Sequence, residues 1–290
     1  MGKKFWLLLL GGLGVLALTA RKFGVKVFGA KPRAILSIYA PQHLPTGWES
    51  TLKDYDALSM RLLSPGLTGD VSMYYELGKR AGCSVHGWGY QYLDSKAQAD
   101  KELGRLQKQI PKYGVVCYWL NAETEFWNSG DPVGLAAYFV ARFRQLFPGV
   151  GLAWNGYSGA RKFGVDFVRM FDIWGPMAYG TKEGGASVYP KIIGLVEAAD
   201  QAGRIAAPTV TGGHIKKGLD GKGRGEFWGY TFGPKGLLEA YRAAPFDWIN
   251  YWHGAIPGRS TLLAGNSKNP SQGDQIALLQ RGTSGVEFTG

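Results

Sequence analysis

Cysteine is scarce: Cys83 and Cys117 are the only two in 290 residues. They form no CxxC pair, so a disulfide framework and a thiolate metal motif are excluded, and both read as small buried apolar side chains. Histidine is nearly as rare. His43, His86, His214 and His253 show no HxxxH spacing and no adjoining carboxylate cluster, so no metal is expected. Acidic residues are missing from residues 1–33, which carry seven positive charges: Lys3, Lys4, Arg21, Lys22, Lys26, Lys31 and Arg33. The remainder holds 26 basic and 22 acidic residues, so most of the net charge of +11 belongs to that end and nucleic acid is not expected as a partner. No nucleophile elbow is present, Gly156-Tyr157-Ser158-Gly159 being too short a match. No phosphate cradle is expected either. The Gly-rich, basic stretch Gly221-Lys222-Gly223-Arg224-Gly225 lacks a strand–turn–helix setting and reads as a flap over a cleft.

Long hydrophobic runs are missing from the body of the chain but present once, at Phe5–Ala20, sixteen uncharged residues between Lys3-Lys4 and Arg21-Lys22. As a helix this run rises about 24 Å, short of a ~30 Å hydrocarbon core unless the flanking cations snorkel. It reads as a membrane anchor, or as a signal segment cleaved after Ala20. The body is then membrane-anchored or secreted, facing the periplasm or cell wall or carried in a virion membrane. Three regions follow: an anchor or signal over 1–30, a domain over 31–256, and an extension rich in Gly, Ser and Asn over 257–290.

What is plentiful is alternation. Strand-like stretches at Ala34–Pro41, Ala57–Leu63, Cys83–Tyr92, Val115–Glu123, Val150–Tyr157, Asp172–Tyr179, Arg204–Thr211 and Asp247–His253 are separated by helix-like ones. The helices are punctuated by Ser95 as an N-cap, Asp131-Pro132 as an opening, Gly203 as a stop, and Pro111 beyond the end of a helix over Ser95–Ile110. Eight such units in about 225 residues have the count and length of a single (β/α)8 TIM-type barrel in the α/β class, with a doubly wound open sheet as runner-up.

In such a barrel the chemistry sits at the C-terminal strand ends and the loops beyond them. Those ends hold Tyr39, Tyr90, Gln91, Tyr92, Asp94, Asn121, Glu123, Glu125, Trp154, Asn155, Tyr157, Tyr179, Asn250, Trp252 and His253. Acids, amides and aromatics with few lysines suit a carbohydrate groove, since aromatic faces stack on sugar rings. The fourth strand is the most telling. Val115, Cys117, Trp119, Asn121 and Glu123 share one face, Val116, Tyr118, Leu120 and Ala122 the other, and only the first turns polar at its end. Glu123, among Trp and Tyr, is expected to be desolvated and to act as a general acid; the competing role is a carboxylate braced by an arginine. Glu125 or Asp94 is the candidate second carboxylate. Tyr39, Trp88, Tyr90, Asp94, Trp154, Asn155, Tyr157 and Trp252 form the expected substrate-binding set, and no cofactor is required.

Asn121-Ala122-Glu123 on the fourth strand and Met177-Ala178-Tyr179 on the sixth resemble the substrate-assisted N-acetylhexosaminidase barrels. Glycoside hydrolase family 18 carries Asp-x-Glu and Met-x-Tyr at these places, and family 85 carries Asn-x-Glu. The resemblance implies that the substrate's own 2-acetamido oxygen attacks the anomeric carbon. Asn121 would align that group, Glu123 would protonate the leaving oxygen, and Tyr179 would support the ring. The layout also resembles family 25 lysozymes, with Ile173-Trp174 and Tyr251-Trp252 at strand ends. It departs from them where Asn121 replaces an Asp and where Ser37-Ile38-Tyr39-Ala40-Pro41 lacks an acid. Cell-wall glycan, peptidoglycan in particular, is the expected substrate. The alternative is a catalytically inactive glycan-binding or structural barrel of an envelope or phage virion.

Overall fold

The computed structural model describes residues 32–38, 44, 47–62, 70–178, 189–211 and 241–253. The expected anchor over residues 5–20, the extension over 257–290, the flap over 221–225 and most of the helix expected over 234–243 lie outside them. Among the described residues no helix is long and apolar enough to cross a membrane.

The strands are β1 (Arg33–Ile38), β2 (Ala57–Arg61), β3 (Ser84–Gln91), β4 (Cys117–Ala122), β5 (Gly151–Trp154), β6 (Ile173–Trp174), β7 (Ile205–Ala206), β8 (Thr209–Thr211) and β9 (Trp248–His253). Every ladder is parallel, and the order across the sheet is β7-β6-β5-β4-β3-β2-β1-β9-β8. The two ends of that order are one stretch of chain, parted only by Ala207 and Pro208. On one side of this stretch Ala207 N donates to Trp174 O and Thr209 N to Pro176 O. On the other, Asp247 N donates to Ala206 O and Asn250 N to Pro208 O. The curled sheet therefore returns to its start, consistent with a TIM-type barrel and not with an open doubly wound sheet.

Alternation along each strand sorts the side chains into two cores. Ile35, Ala57, Trp88, Cys117, Trp119, Ala153, Ile173 and Ala207 pack inside the barrel. Leu36, Leu58, Tyr118, Leu120, Leu152, Trp154 and Trp174 face outward into the helix layer. Inside, Trp119 spans towards β6: a Cβ on Gly175 would come within 2.5 Å of its ring, so glycine is required there. Below it, Trp119 Nε1 donates to Nδ1 of His86 (3.1 Å), which stacks on Trp248. Burial, with Arg33 nearby, holds that imidazole neutral, its pKa lowered to about 3.

Several boundaries differ from the sequence expectation, each for a local reason. The helix Lys96–Tyr113 is capped by Ser95 as expected but runs through Pro111. In the last turn a proline forfeits one hydrogen bond, and the actual stop is Gly114, left-handed at φ 67°, which lets Val115 N reach back to Ile110 O. β4 begins only at Cys117, so Val115 joins the outer core and Val116 is 52% exposed. The expected sixth and seventh strands are shortened and split at Pro176 and Pro208, which have no N–H to give to a ladder. The C-terminal reach of the sixth survives as a bridge from Met177 to Tyr157 and Thr209.

One repeated device was not anticipated. Asp56, Asp172 and Asp247 each stand one residue before a strand and take the backbone N–H of a neighbouring strand: Ala34 (2.8 Å), Leu152 (2.8 Å) and Ala206 (2.9 Å). Each pins the N-terminal end of one strand to the next. Asp172 also pairs with Arg144 Nη2 at 2.7 Å. Replacing Asp172 with Ala should cost about 1–3 kcal/mol in urea unfolding, while Asp166→Ala, at an exposed i,i+3 pair, should stay within about 0.5 kcal/mol.

Candidate active site

β4 delivers the site. With Cys117 and Trp119 inside the barrel, Asn121 and then Glu123 continue the inward face beyond the last interior layer. Asn121 is buried, and its Nδ2 donates to Glu123 Oε1 at 3.0 Å. Glu123 is half-buried and leaves the strand with φ −122° and ψ −130°, after which Thr124–Trp127 forms a single helical turn. That turn decides where Glu125 goes. It is neither on a continued strand nor turned away, but swung back towards β3, where Tyr90 Oη donates to its Oε2 at 2.7 Å.

Across the other edge, Tyr157 lies one rung beyond Asn155 on the inward face of the segment following β5. Its hydroxyl is within 3.4 Å of Thr124 Oγ1 and hydrogen-bonds Glu123. Burial pushes the Glu123 carboxyl above its ordinary pKa. The hydrogen bonds from Asn121 and Tyr157 pull the other way, and the charge of Glu125 adds to the rise. Burial, followed by the bond to Glu125, raises the Tyr90 phenol, which therefore serves as a donor. Among the described residues neither Glu123 nor Glu125 pairs with a cation, so the arginine-braced role does not describe Glu123.

Aromatic faces stand on both flanks of the two carboxyls. Tyr90 and Tyr92 meet edge to face at 5.0 Å on the β3 side, Tyr92 being 52% exposed. Tyr157, 39% exposed, lies against Trp127 on the β5 side, and Trp127 stacks in turn on Phe163. Trp127 and Thr124 were not singled out from the sequence. Their signal was the run Thr124-Glu125-Phe126-Trp127 itself, whose spacing brings residues 124 and 127 onto one side of a helical turn.

The other expected residues divide. Asn155 is buried on the inward face beside Asn121, and Trp252 is buried at the end of β9. Trp88 is an interior layer residue below the site, its Nε1 donating to Ile38 O. Trp154 is not a substrate-facing residue. It is 0% exposed and packs outward against Phe126, Phe167, Phe171 and Trp174. Adjacent strand residues cannot share a face, so Asn155 inside requires Trp154 outside. Asp94 is exposed, accepts from Ser95 Oγ, and is not among the groups acting on Glu123. Gln91 likewise faces outward, donating to Glu102 Oε1 at 2.8 Å and to Tyr118 Oη. Tyr39 and Tyr179 lie outside the described residues. Among the described residues no group of His, Cys, Asp and Glu could hold a metal ion.

No protein-family model matches the sequence, and no curated protein matches it. Solved structures do share the fold. A spore cortex-lytic enzyme, SleL, from Bacillus megaterium superposes with a TM-score of 0.59 at 8% identity, over 89% of this chain and 76% of that one. A chitinase from Bacteroides thetaiotaomicron gives 0.57 at 9% identity, over 89% and 99%. A psychrophilic family 10 endo-β-1,4-xylanase gives 0.51 at 9% identity, over 77% and 86%. At such identities the likeness is one of fold.

The raised pKa of Glu123 has a consequence for stability. A carboxyl whose folded pKa lies above its unfolded value favours the fold in its protonated form. That contribution is full below the unfolded pKa and is lost as pH rises through the folded one. Glu123→Gln, which keeps the neutral shape, should therefore melt at or above the wild-type temperature at pH 8. The gap should close below about pH 4, near the ordinary glutamate pKa. Melting curves at both pH values check this.

Proposed function

We propose that this chain is a glycoside hydrolase acting on an N-acetylated polysaccharide, peptidoglycan. One observation carries the proposal. A half-buried glutamate with a raised pKa, held by an asparagine two residues before it, stands at the C-terminal mouth of a parallel barrel between two aromatic flanks. The chitinase and the cortex-lytic enzyme that share the fold lend support, as does the Asn-x-Glu resemblance.

The chemistry follows from the hydrogen bonds. Oε1 of Glu123 accepts from Asn121, so the acid proton is carried on Oε2 and given to the glycosidic oxygen as the C–O bond breaks. The electron pair of that bond leaves with the departing sugar. The acetamido oxygen of the substrate bonds to the anomeric carbon in its place, and water, losing its proton to the Glu123 carboxylate, later opens that adduct and restores the acid. Glu125, engaged by Tyr90, is not needed as nucleophile; its charge helps keep Glu123 protonated. Tyr179 remains the proposed ring-supporting tyrosine. Residues 5–20 are proposed to anchor the domain over 31–256 beside the wall, or to direct its secretion.

A second reading, a barrel that binds glycan without cleaving it, is favoured by the same bond that ties up Glu125, because among the described residues no other carboxylate acts on Glu123. Digestion of purified peptidoglycan and chitin, with products identified by mass, separates the two. Wild type should release new reducing ends, and Glu123→Gln should lower kcat about 10²–10⁴-fold. Glu125→Gln should cost much less. Binding of the polymers with no product from wild type would establish the non-catalytic reading instead.

A further inference from the structure

We infer that Asn155 and Asn121 together accept two hydrogen bonds from neighbouring donors on one substrate ring, and so select a 2-acetamido sugar whose 3-hydroxyl is free. This rests on the glycan reading above and adds a specificity residue to it. The ladder pairs Trp119 with Ala153 and Leu120 with Trp154, and Asn155 N donates to Leu120 O at 2.7 Å. Asn121 and Asn155 are therefore the next rung, side by side at the ~4.8 Å spacing of neighbouring strands. Ala153 lies in the barrel interior and Trp154 in the outer core, so Asn155 faces inward with Asn121.

Asn155 is 3% exposed, and the Oδ1 atoms of both asparagines are buried without a hydrogen-bond partner. The Nδ2 of Asn121 is committed to Glu123, so this side chain can offer the substrate only an acceptor. Leaving two such oxygens unpaired costs stability, and a ligand that donates to them would recover that cost. The neighbouring rung positions on the far side of Asn155 are Gly175 and Ala207, which put almost no side chain beside it. The ring of Trp119 lies against Gly175 and lines the interior there.

Two adjacent acceptors call for two adjacent donors. An N-acetylglucosamine ring supplies them on neighbouring carbons, as the acetamido N–H and the 3-hydroxyl. A muramic ring keeps the first but has an ether in place of the second, and that ether oxygen brings a bulky lactyl arm, not a proton, towards the two amide oxygens. A site built to accept a hydrogen bond rejects the analogue that cannot give it. The scissile bond in a wall polymer is then the one following N-acetylglucosamine.

The experiment uses the full chain. Wild type is incubated with purified peptidoglycan, and the sugar at each new reducing end is identified by mass after borohydride reduction. N-acetylglucosamine ends are expected; muramic ends would overturn the inference. In parallel, binding of the β-1,4 tetramer of N-acetylglucosamine to the Glu123→Gln protein is followed by tryptophan fluorescence, with and without Asn155→Ala. The added substitution should weaken binding at least about tenfold while leaving the melting temperature at or above that of its parent, since it removes an unpaired buried group. Unchanged affinity would overturn the inference and leave the hydrolase reading standing. Lost affinity in a protein that cleaves nothing would keep the inference as a binding preference and remove the hydrolase reading. Neither cleavage nor binding by any form would remove both.

Discussion

Closure of the sheet is the constraint on which the rest depends. A strand in an open sheet can trade one face for solvent; a strand in a closed one has only an interior and a helix side, and each residue must take one or the other. Closure here is made by a single stretch, Ile205 to Thr211, that hydrogen-bonds to β6 along its first half and to β9 along its second. Ser37 Oγ, Asn250 and Thr209 Oγ1 then form a chain of hydrogen bonds across the seam, from β1 through β9 to β8, and Thr209 ends it by donating to Gly175 O. This polar belt satisfies the interior where the last strands meet. On the opposite wall, at β4 and β5, the belt is left incomplete, and that is where Asn121, Asn155 and Glu123 stand.

Much of this was legible because burial leaves a period in the sequence. The polar turn of the inward face at Asn121 and Glu123 could be read from β4 alone, and the capping residues Ser95 and Asp131 marked helix starts that the structure keeps. Trp154 was not legible. When both faces of a strand are buried, hydrophobicity ceases to distinguish them, and a tryptophan at a strand end suits a core as well as a groove. Strand phase resolves it only once Asn155 is known to point inward. The position of Glu125 was hidden for a different reason. A four-residue helical turn leaves no periodic signal, yet it reverses the side on which residue 125 emerges. The aspartates at 56, 172 and 247 were hidden because their partners are backbone groups of other strands, which no local pattern announces.

The site is expensive for the fold. Glu123 is desolvated, two amide oxygens are unpaired, and the phenol of Tyr90 is given to a carboxylate. These costs are tolerated because the strands that carry them are held elsewhere: by aromatic packing of Trp154 with Phe167, Phe171 and Trp174 behind β5, and by the Asp172 contact at its far end. The aromatic packing lies on the outer face and the aspartate contacts at the N-terminal strand ends, while the two unpaired amide oxygens stand at the C-terminal mouth. That division is expected where binding, not folding, is to complete the hydrogen bonds.

A perturbed carboxyl does not by itself mark such a site, and this chain supplies the control. Glu102 is more deeply buried than Glu123, and burial raises its pKa as well. Yet Glu102 stands on the helix Lys96–Tyr113, facing the outer side of β3, and both its oxygens are engaged: Oε1 by Gln91, Oε2 by Arg105 at 3.2 Å. It braces the strand whose other face carries Tyr90. Glu123 has the same direction of shift with no cation paired to it among the described residues, two neutral partners, and a position past the last interior layer where a ligand can reach it. The difference between a structural and a chemical glutamate is therefore set by which side of the closed sheet the residue is on, and by whether its partners are already complete.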